Sequence, residues 1–438
     1  MTRLSQKSDI PLSGEIIVAP DKSISHRAII FASLANGKSK IFNLLEGEDV
    51  LKTIDAMRLM GVEINKKDNF YEVNGSGVIG LMEPSNVIDM GNSGTSSRLL
   101  AGLVCPYNFT SFFTGDASLR KRPMGRVFEP IKKFGAQIIA RQNNLMPFAI
   151  IGNPDATPIS YQMKMASAQV KSCILLASLS IRGTTTIIEP EKCRDHTEIM
   201  MRSLGLKISQ QDFENHGQIG TTINYSGLQE FSGRDFEIPN DISSSAFFMV
   251  GALLVKNSQI LLKNVGVNPL RTGLITTLQE MNAKISLQNS REIGGEKVAD
   301  ILVESSNLKA ITVPASRSAS MIDEYPILAV ACAFADGVSR LNGLAELKVK
   351  ESNRLAMIAQ NLQNCGAEVK IGDDYLEIKG GLSMPKSRVK ISTAMDHRIA
   401  MSFLIMGLCL ENGVELDDDE MINTSFPNFS QIILRFIN

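Results

Sequence analysis

Residues 56–64, AMRLMGVEI, decide the fold because their pattern recurs four more times along the chain. In each copy an amphipathic helix pattern ends at Gly or Asn, and a small or apolar residue, a polar residue and a β-branched residue follow. Gly and Asn tolerate the left-handed backbone that ends many helices, and the alternating sequel is typical of a strand. We therefore expect five equivalent helix-to-strand junctions, with caps at Gly61, Gly135, Gly205, Asn282 and Gly366.

The spacing of these caps indicates the domain organisation. Successive caps lie 70 to 84 residues apart, and a period of roughly 75 residues divides the chain into about six α/β units. A chain of 438 residues exceeds one ordinary hydrophobic core, so we expect two domains of three units each. The segment DFEIPNDISSSAFF at 235–248 is the boundary candidate, which places the first domain at residues 22–238. Gly-capped helices also occur throughout α/β proteins, and that is the competing explanation.

Composition and charge argue against several classes of protein. Hydrophobic residues make up 44% of the chain, charged residues 21%, and the net charge is −1; this is typical of a globular protein and lacks the basic excess of a nucleic-acid binder. The six cysteines form no C-x-x-C pair, and His26, His196, His216 and His397 are scattered, so we expect free thiols and no metal. The start has no apolar core of signal-peptide length, and the longest apolar runs are about half of the ~20 residues that span a membrane. We expect a cytoplasmic protein.

The segment PDKSISHRAII at residues 20–30 places dense polar chemistry at the mouth of a helix. Asp21 or Ser23 can cap a helix that begins near Ser25. The unpaired N–H groups and the dipole at a helix start attract anions, and Lys22 and Arg27 add full charges. The segment therefore predicts a phosphate or carboxylate site, with an ordinary capped helix and solvated charges as the alternative.

A glycine-rich segment, DMGNSGTSSRLLAG at residues 89–102, precedes a helix that we expect at Ser97. Its glycines let a ligand approach the backbone closely. It matches neither the Walker motif nor the dinucleotide-binding motif, so no nucleotide cofactor is implied. A Gly turn with a Ser or Thr cap is the alternative explanation.

Two further polar segments lie in the first half of the chain. SLRKRPMGR at 118–126 holds four cations in seven residues, which repel one another unless they are solvated or paired with an anion. MASAQVKSCILLASL places Ser167 and Gln169 before an apolar helix at 170–179. A solvated loop and a plain N-cap are the respective alternatives.

The second half repeats this arrangement. In SMIDEYPILAVACAFADG, Asp323 and Glu324 directly precede an apolar helix, where a carboxylate can cap the helix or act as a general base. ELKVKESNRL contains Glu351 and Arg354 at a spacing that also suits a surface ion pair, and TAMDHRIAMSFLIMG places Asp-His-Arg before another apolar helix. Several such helix openings together suit a strongly anionic ligand. Because no metal or cofactor motif occurs, Lys, Arg and helix dipoles have to bind it.

These motifs together resemble the 5-enolpyruvylshikimate-3-phosphate synthase family. They are PDKSISHRA, GNSGT, RPM, SAQVKS, RDHTE, DEYP, VKESNRL and DHRIAMS, and they run in family order within residues 20–427. The resemblance implies an α/β, two-domain enolpyruvyl transferase fold of six βαβαββ units, three per domain, with helix N-termini facing an interdomain cleft. It assigns residues 1–21 and 239–438 to the second domain, with hinges near 20–22 and 238–241. It also implies a monomer without a cofactor that binds small molecules and neither nucleic acid nor membranes.

The resemblance further implies the reaction of a 3-phosphoshikimate 1-carboxyvinyltransferase of aromatic amino-acid biosynthesis. The 5-hydroxyl of shikimate 3-phosphate attacks C2 of phosphoenolpyruvate as C3 is protonated, and the tetrahedral intermediate then loses phosphate. The implied catalytic residues are Asp323, which takes the hydroxyl proton, and Glu351 and Lys22, with Lys350 nearby. The implied substrate contacts are Lys22, Ser23 and Arg27; for phosphoenolpyruvate, Gly94, Arg122, Gln169, Arg354 and Arg398, with Thr95 beside them; and for the 3-phosphate, Ser167 and Arg194.

The chain departs from the better-known members at three places. Ala168 replaces a second serine, so one hydroxyl contact is absent. Residues 423–427, NTSFP, lack the lysine that precedes Thr-Phe-Pro in those members, and ESNR at 351–354 replaces Glu-Thr-Asp-Arg. These departures indicate a divergent branch, in which alanine in place of the loop glycine gives tolerance to glyphosate. Because this chain keeps Gly94, we expect glyphosate to inhibit it.

Two rival functions are compatible with parts of the pattern. The related enolpyruvyl transferase that acts on UDP-N-acetylglucosamine typically has a reactive cysteine in a mobile loop, whereas the corresponding segment here, DASLRKRPMGR, has none. A non-catalytic anion-binding protein of the same fold is the second rival. The presence of Lys22, Asp323 and Glu351 argues against it.

Overall fold

The computed structural model describes residues 4–215 and 217–435, so His216 and the extreme ends of the predicted second domain lie outside the described residues. The described residues divide into two compact units. The central unit comprises residues 20–238 and 293–296, and the terminal unit comprises residues 4–19, 239–292 and 297–435.

The chain begins in the terminal unit with two short strands, β1 (Leu4–Ser5) and β2 (Ser13–Ile16). The central unit follows, and helices and strands alternate within it. In chain order these are α1 (Lys22–Leu34), β3 (Asn36–Phe42), α2 (Glu48–Leu59), β4 (Glu63–Lys66), β5 (Phe70–Ser76), β6 (Ile88–Asp89), α3 (Gly94–Val104), β7 (Thr110–Thr114), α4 (Gly125–Lys133), β8 (Gln137–Arg141), β9 (Leu145–Ile151), β10 (Ser160–Gln162), α5 (Ala168–Ser178), β11 (Thr184–Glu189), α6 (His196–Ser203), β12 (Ile208–Asn215), β13 (Gln218–Ser226) and β14 (Asp235–Glu237).

The chain then returns to the terminal unit and repeats the same alternation. Its elements are α7 (Ile242–Leu254), β15 (Gln259–Gly266), α8 (Gly273–Glu280), β16 (Lys284–Ile293), β17 (Glu296–Glu304), β18 (Thr312–Val313), α9 (Tyr325–Ala333), β19 (Val338–Asn342), α10 (Arg354–Asn364), β20 (Glu368–Ile371), β21 (Tyr375–Lys379), β22 (Val389–Ile391), α11 (His397–Gly407), β23 (Val414–Leu416) and α12 (Phe429–Leu434). Short 3₁₀ helices span Leu119–Lys121, Gln142–Asn144, Ala315–Ser320, Ala345–Val349 and Glu420–Thr424.

Within the described ranges the strands form five four-stranded sheets and one three-stranded sheet, β1-β23-β22. In the sheet β6-β7-β9-β8 the first pair is parallel and the other two are antiparallel. The parallel pair needs a crossover, which α3 supplies. The sheets β14-β3-β5-β4, β10-β11-β13-β12, β18-β19-β21-β20 and, read from the same edge, β2-β15-β17-β16 follow the same strand order. The prediction of six repeated α/β units is therefore confirmed.

The predicted helix caps have the backbone geometry that defines this repeat. The φ angles are +87° at Gly61, +92° at Gly135, +81° at Gly205, +72° at Asn282 and +89° at Gly366. Each cap follows the second helix of its repeat by two residues, as Gly61 follows the end of α2 at Leu59. A left-handed residue at this point ends a helix and redirects the chain, so all five junctions lead into an edge strand in the same way.

The first helices of the repeats lie in the cores of the two units. Every residue of α9 is buried, and α7 is buried at all positions except Leu254. In the central unit α3 packs against α5, and in the terminal unit α11 packs against α7 and α9. Helices that are enclosed on all sides have apolar residues on all faces. Most of their polar residues are therefore concentrated at the helix openings, which is where the predicted clusters lie.

The cysteines and the helix lengths agree with a protein built on buried cores. All six cysteines are free, and all but Cys409 are fully buried. Burial raises the pKa of the Cys332 thiol to about 12, so this thiol is protonated at neutral pH. None of the helices in the described part of the chain is long and apolar enough to cross a membrane.

Candidate functional site

Helices α1, α3 and α5 begin two or three residues earlier than their apolar patterns indicate, so the predicted starts at Ser25, Ser97 and Val170 were wrong. The prediction of Asp21 as a possible cap of α1 is confirmed; the starts differ because the capping side chain precedes the small polar residues in all three helices. The caps are Asp21, Ser93 and Ser167, and each side chain accepts a backbone N–H of the first turn. The polar residues between cap and apolar run thus belong to the first turn, whose N–H groups are available to ligands.

The opening of α1 carries a lysine that is held by a carboxylate of the next helix. Lys22 is the first residue of α1, and its ammonium forms an ion pair with Asp49 in the first turn of α2. The Lys22 side chain is 19% exposed, so it is partly screened from water. Asp49 is a site residue that the sequence reasoning missed, and the acidic segment EGED at 46–49 is its only signal in the sequence.

Arg27 extends the positive charge into the protein. Its guanidinium donates from Nε to Thr197 Oγ1 at 2.7 Å, from Nη2 to Ser172 Oγ at 2.7 Å and from Nη1 to the backbone oxygen of Ser23 at 2.9 Å. These acceptors are neutral oxygens, and Arg27 is only 4% exposed. Burial lowers the pKa of Arg27 to about 10, although Glu198 partly opposes that effect. The carboxylates of Glu198, Asp21 and Glu296 act on Arg27 through space but accept none of these three hydrogen bonds, and a phosphate near the guanidinium would stabilise the cation further.

The glycine segment and the start of α5 meet in one group of side chains. Arg98 Nη1 donates to Gln169 Oε1 at 3.0 Å and to the backbone oxygen of Gly94 at 3.1 Å. Gln169 Nε2 donates in turn to Thr95 Oγ1 at 3.3 Å. The structure thus brings together the predicted residues of both helices. Arg98 was not among the predicted site residues, although its place one turn after Gly94 was a usable signal.

Arg122 lies on the other side of Gly94. It is 8% exposed, and Nη2 donates to Asn92 Oδ1 at 2.6 Å, so this cation of the 118–126 segment does not belong to a solvated loop. A β-carbon at Gly94 would lie 2.9 Å from Arg98 Nη1 and 3.3 Å from Arg122 Nη1. The absence of a side chain at Gly94 therefore keeps two guanidinium groups accessible from the helix opening.

The predicted 3-phosphate residues lie at the start of α5 and before α6. Ser167 Oγ accepts a hydrogen bond from the Val170 N–H at 3.4 Å, so the N-cap explanation is correct as far as it goes, and the hydroxyl proton can still be donated. Arg194 is half-buried in the loop between β11 and α6. Three residues later Thr197 accepts the hydrogen bond from Arg27, which places Arg27 and the Arg194 loop in one region.

A buried imidazole joins the N-terminal halves of helices α1, α2 and α3. His26 is fully buried, and its Nδ1 lies 2.7 Å from Thr53 Oγ1 and 3.2 Å from Ser96 Oγ. These hydroxyls are 2.6 Å apart, and Ser96 also contacts Ser93 at 2.7 Å. Burial, reinforced by the charges of Lys22 and Arg27, holds the pKa of His26 well below its usual value. The ring is therefore neutral and serves as a hydrogen-bonding connector of α1, α2 and α3.

In the terminal unit a buried arginine is surrounded by carboxylates. Arg354, the first residue of α10, donates from Nε to Asp396 Oδ2 at 2.8 Å and from Nη1 to Asp323 Oδ1 at 3.2 Å, and Nη2 forms an ion pair with Glu351. Burial by itself lowers the pKa of Arg354, but the carboxylates of Asp396, Glu351 and Asp323 outweigh it and raise the pKa above its usual value. The alternative of a surface ion pair between Glu351 and Arg354 is thus wrong, because Arg354 is 0% exposed.

The remaining predicted residues of the terminal unit lie around Asp323. Lys350 Nζ is 3.5 Å from Asp323 Oδ1, and Arg398 Nη1 donates to the Asp323 backbone oxygen at 3.3 Å. The Asp323 side chain is 14% exposed and that of Glu351 is 22% exposed, so both carboxylates are accessible. This unit therefore combines two carboxylates that can exchange protons with three cations that can hold an anion.

Glu324 is a buried carboxylate near Arg398, and it was not predicted as a site residue. It is 1% exposed, accepts a hydrogen bond from the Ser243 hydroxyl and lies 3.8 Å from Arg398. Arg271 Nη2 donates to the same hydroxyl at 2.7 Å. The contacts join α7 to the loop before α9. Ser243 and Glu324 are 81 residues apart in sequence, so no local sequence pattern predicts their contact.

Metal coordination has no support in the described ranges. No group of three or more His, Cys, Asp or Glu side chains there is arranged to hold a metal ion.

Comparison with known proteins gives a consistent result. Residues 7–433 match the family model of EPSP synthase (3-phosphoshikimate 1-carboxyvinyltransferase). The chain is 50% identical over 431 residues to a 3-phosphoshikimate 1-carboxyvinyltransferase of Paramagnetospirillum magneticum, which covers 98% of this chain and 96% of that protein. It is 48% identical to the protein of the same name from Acidiphilium cryptum, over 98% and 95% of the two chains.

Solved structures show the same similarity. EPSP synthase from Acinetobacter baumannii superposes with a TM-score of 0.85 at 40% identity, over 99% of this chain and 97% of that chain. The enolpyruvyl transferase NikO from Streptomyces tendae superposes with a TM-score of 0.77 at 15% identity, over the same shares. The second likeness concerns the fold alone.

Proposed function

The chain belongs to the EPSP synthase family, and we propose that it transfers the enolpyruvyl group of phosphoenolpyruvate to the 5-hydroxyl of shikimate 3-phosphate and releases phosphate. One observation carries the proposal beyond family membership. Two accessible carboxylates, Asp323 and Glu351, lie on the same buried guanidinium of Arg354. Proton-transfer groups and an anion-binding group are thus present together, as an addition–elimination on a phosphate ester requires.

In this proposal the central unit supplies the contacts of shikimate 3-phosphate. Arg27 carries a buried charge whose hydrogen-bond partners are neutral oxygens, so its guanidinium interacts favourably with an anionic ligand. Arg194 and Ser167 bind the 3-phosphate, Ser23 adds a hydroxyl at the helix opening, and Lys22 reaches both substrates.

Phosphoenolpyruvate is bound by guanidinium groups and helix openings. Arg122 and Gln169 converge around the open position at Gly94, and the first-turn N–H groups of α3 add donors for a phosphate or carboxylate. Arg354 and Arg398 act as further cations, since both can neutralise charge that develops on the phosphate leaving group.

Asp323 and Glu351 divide the proton transfers. Asp323 takes the proton of the 5-hydroxyl, and Lys350 and Arg354 orient its carboxylate from 3.5 Å and 3.2 Å. Glu351 and Lys22 serve proton exchange at C3 as the tetrahedral intermediate forms and collapses. Each step moves one proton to or from a positioned side chain, which typically contributes 10² to 10⁴-fold in rate.

The two compact units serve as the two domains of this enzyme, with hinges near residues 20–22 and 238–241. We further propose that the protein acts as a cytoplasmic monomer on small molecules, without nucleic acid or membrane as partner. The division of the described residues near 19/20 and 238/239 supports the hinge positions.

The assay that tests the proposal compares two acceptors. Phosphate release from phosphoenolpyruvate is measured with shikimate 3-phosphate and, separately, with UDP-N-acetylglucosamine. We expect phosphate to be released only when shikimate 3-phosphate is the acceptor. Release only with UDP-N-acetylglucosamine would assign the protein to the rival transferase. Binding of the acceptors without release of phosphate would favour the non-catalytic rival.

A further inference from the structure

A fully buried lysine on α5 lies two residues after Gln169 and contacts the loop that carries Arg194. Lys171 on α5 is 1% exposed, and its Nζ is 3.0 Å from both carboxylate oxygens of Glu189 and 2.8 Å from Glu198 Oε1. Glu189 and Glu198 are 2% and 0% exposed. No step of the proposed mechanism uses these three groups. The cluster is therefore a buried ionic group without an assigned role.

The cluster forms hydrogen bonds with the backbone of Cys193, the residue immediately before Arg194. Lys171 Nζ donates to the backbone oxygen of Cys193 at 3.1 Å, and the Cys193 N–H donates to Glu189 Oε1 at 2.8 Å. Both backbone groups of Cys193 are thus bound by one ion pair. A residue held in this way fixes the direction in which the chain continues, and the next residue is Arg194.

The far end of the same loop is attached to the same ammonium. Glu198 lies in the first turn of α6, one residue after Thr197, which accepts the hydrogen bond from Arg27. On α5, Ser172 follows Lys171 and accepts the second hydrogen bond of Arg27. Lys171 is consequently bound to both ends of the loop that carries Arg194, through Cys193 at one end and Glu198 at the other.

Stability alone is a poor explanation for this cluster. Two carboxylates face one ammonium, and Glu198 Oε2 is buried without a hydrogen-bond partner. Burial raises the pKa of Glu198, although Lys171 opposes the shift. Buried ionic groups of this kind often destabilise a fold relative to apolar residues of the same volume, but they fix geometry. The arrangement thus points to positioning.

We propose that Lys171 is a positioning residue for the 3-phosphate subsite, because it fixes Cys193 and thereby sets the place of Arg194. This inference rests on the proposed function, since it assigns the ligand of Arg194 as the phosphate of shikimate 3-phosphate. It predicts that loss of Lys171 weakens shikimate 3-phosphate specifically. The contacts of Lys171 and Glu189 with the backbone of Cys193 form what we call the Cys193 clamp. Binding of phosphoenolpyruvate depends on Arg122 and Gln169, which this clamp does not contact.

The test uses an uncharged triple variant, Lys171→Met with Glu189→Gln and Glu198→Gln, because Lys171→Met alone leaves two buried carboxylates without this cation; the variant raises the net charge by one. Thermal unfolding checks that the variant folds. We expect KM for shikimate 3-phosphate to rise at least about 10-fold, with KM for phosphoenolpyruvate and kcat within about 3-fold. Lys171→Arg keeps the charge but not the clamp geometry, and we expect an intermediate rise.

Asp212→Asn is the matched control. Asp212 forms an exposed ion pair at 2.6 Å with Lys192 of the same loop, so the variant raises the net charge by one, as the triple variant does, and leaves the contacts of Cys193 intact. We expect KM for shikimate 3-phosphate within about 2-fold of the parent value. An equal rise in this control and in the triple variant would assign the effect to charge and overturn the proposal.

A double-mutant cycle with Arg194→Ala tests whether Lys171 acts through Arg194. In the Arg194→Ala background we expect the triple variant to raise KM no further, because the positioned group is already absent. Additive effects would contradict the inference, and so would an unchanged KM in a folded triple variant or failure of both the triple variant and Lys171→Arg to fold. Calorimetric titration of the parent with shikimate 3-phosphate separates this failure from failure of the proposed function, since a parent that does not bind the ligand disproves the function first.

Discussion

Arg27 and Arg354 are buried guanidinium groups on helices of the two units, and their direct partners differ in charge. Arg27 donates to two hydroxyls and a backbone oxygen, and burial lowers its pKa to about 10. Arg354 is surrounded by three carboxylates, which outweigh burial and raise its pKa above the usual value. Carboxylates act on Arg27 through space only, whereas those around Arg354 are its direct partners. We therefore expect Arg27 to serve anion binding in the central unit, and Arg354 to orient the acid–base groups of the terminal unit in addition to binding an anion.

Asp323→Ala should give the largest effect, because it removes the proposed base from the carboxylate-rich region. We expect kcat to fall by about 1000-fold, while affinity for shikimate 3-phosphate changes little. Stopped-flow phosphate release gives kcat, and calorimetric titration gives the affinity. Asp373→Ala is the control, since it removes an exposed carboxylate of the same unit. Turnover that survives in Asp323→Ala would show that the base has been assigned wrongly.

Arg27→Met tests the proposed anion-binding region around Arg27. The substitution removes a buried cation that interacts with the ligand, and we expect affinity for shikimate 3-phosphate to fall by about 100-fold. The exposed Arg202→Met in the same unit, whose guanidinium contacts Gln210, should leave affinity unchanged. If Arg27→Met reduced kcat at saturating substrate and left affinity intact, the division of labour between the two arginines would be wrong.

Gly94→Ala sharpens the comparison at the phosphoenolpyruvate side. The new methyl group would lie 2.9 Å from Arg98 and 3.3 Å from Arg122, so at least one guanidinium has to move. We expect KM for phosphoenolpyruvate to rise by roughly 10-fold, as overpacking costs about 1–3 kcal/mol, and glyphosate to lose potency. The parent should be inhibited at millimolar glyphosate, and full parent activity there would contradict the prediction.

His26→Asn is expected to have the smallest effect, on the pH dependence of stability. The folded protein keeps His26 neutral, whereas the unfolded chain binds a proton near pH 6.5. Below that pH the unfolded state holds the extra proton, so the parent loses stability as the pH falls, by up to about 1.4 kcal/mol per pH unit. Urea unfolding at pH 7.5 and 5.5 should show a smaller loss in His26→Asn.

Thr53→Val provides the control for this pH effect. It removes a hydrogen-bond partner of His26 without changing the ionisable group, so its cost should be similar at both pH values. An identical pH dependence in the parent and His26→Asn would mean that His26 is not held neutral by the fold.

The repeat could be predicted from the sequence because its signals are local. Gly61, Gly135 and the three equivalent caps have left-handed backbones, and each follows an amphipathic helix within a few residues. The predicted helix starts were less accurate, because the apolar pattern shows only where the buried residues begin. The caps Asp21 and Ser93 lie before the polar residues of the first turn.

The contacts within the site could not be read from the sequence. Arg354 gathers Asp323 and Asp396 from positions 31 and 42 residues away, and Lys171 reaches Glu189 and Glu198 from another helix. Such pairs depend on how the helices pack, and periodicity and capping patterns carry no information on that. Arg98 differs in kind, because its spacing from Gly94 within one helix was visible and was overlooked.

Product analysis with the parent protein tests the central claim most directly. Shikimate 3-phosphate and phosphoenolpyruvate are incubated with the protein, and the products are identified by mass spectrometry while phosphate is measured. The account predicts the enolpyruvyl ether at the 5-oxygen and phosphate in equal amounts. Phosphate without the ether, or an ether formed on UDP-N-acetylglucosamine instead, would contradict it.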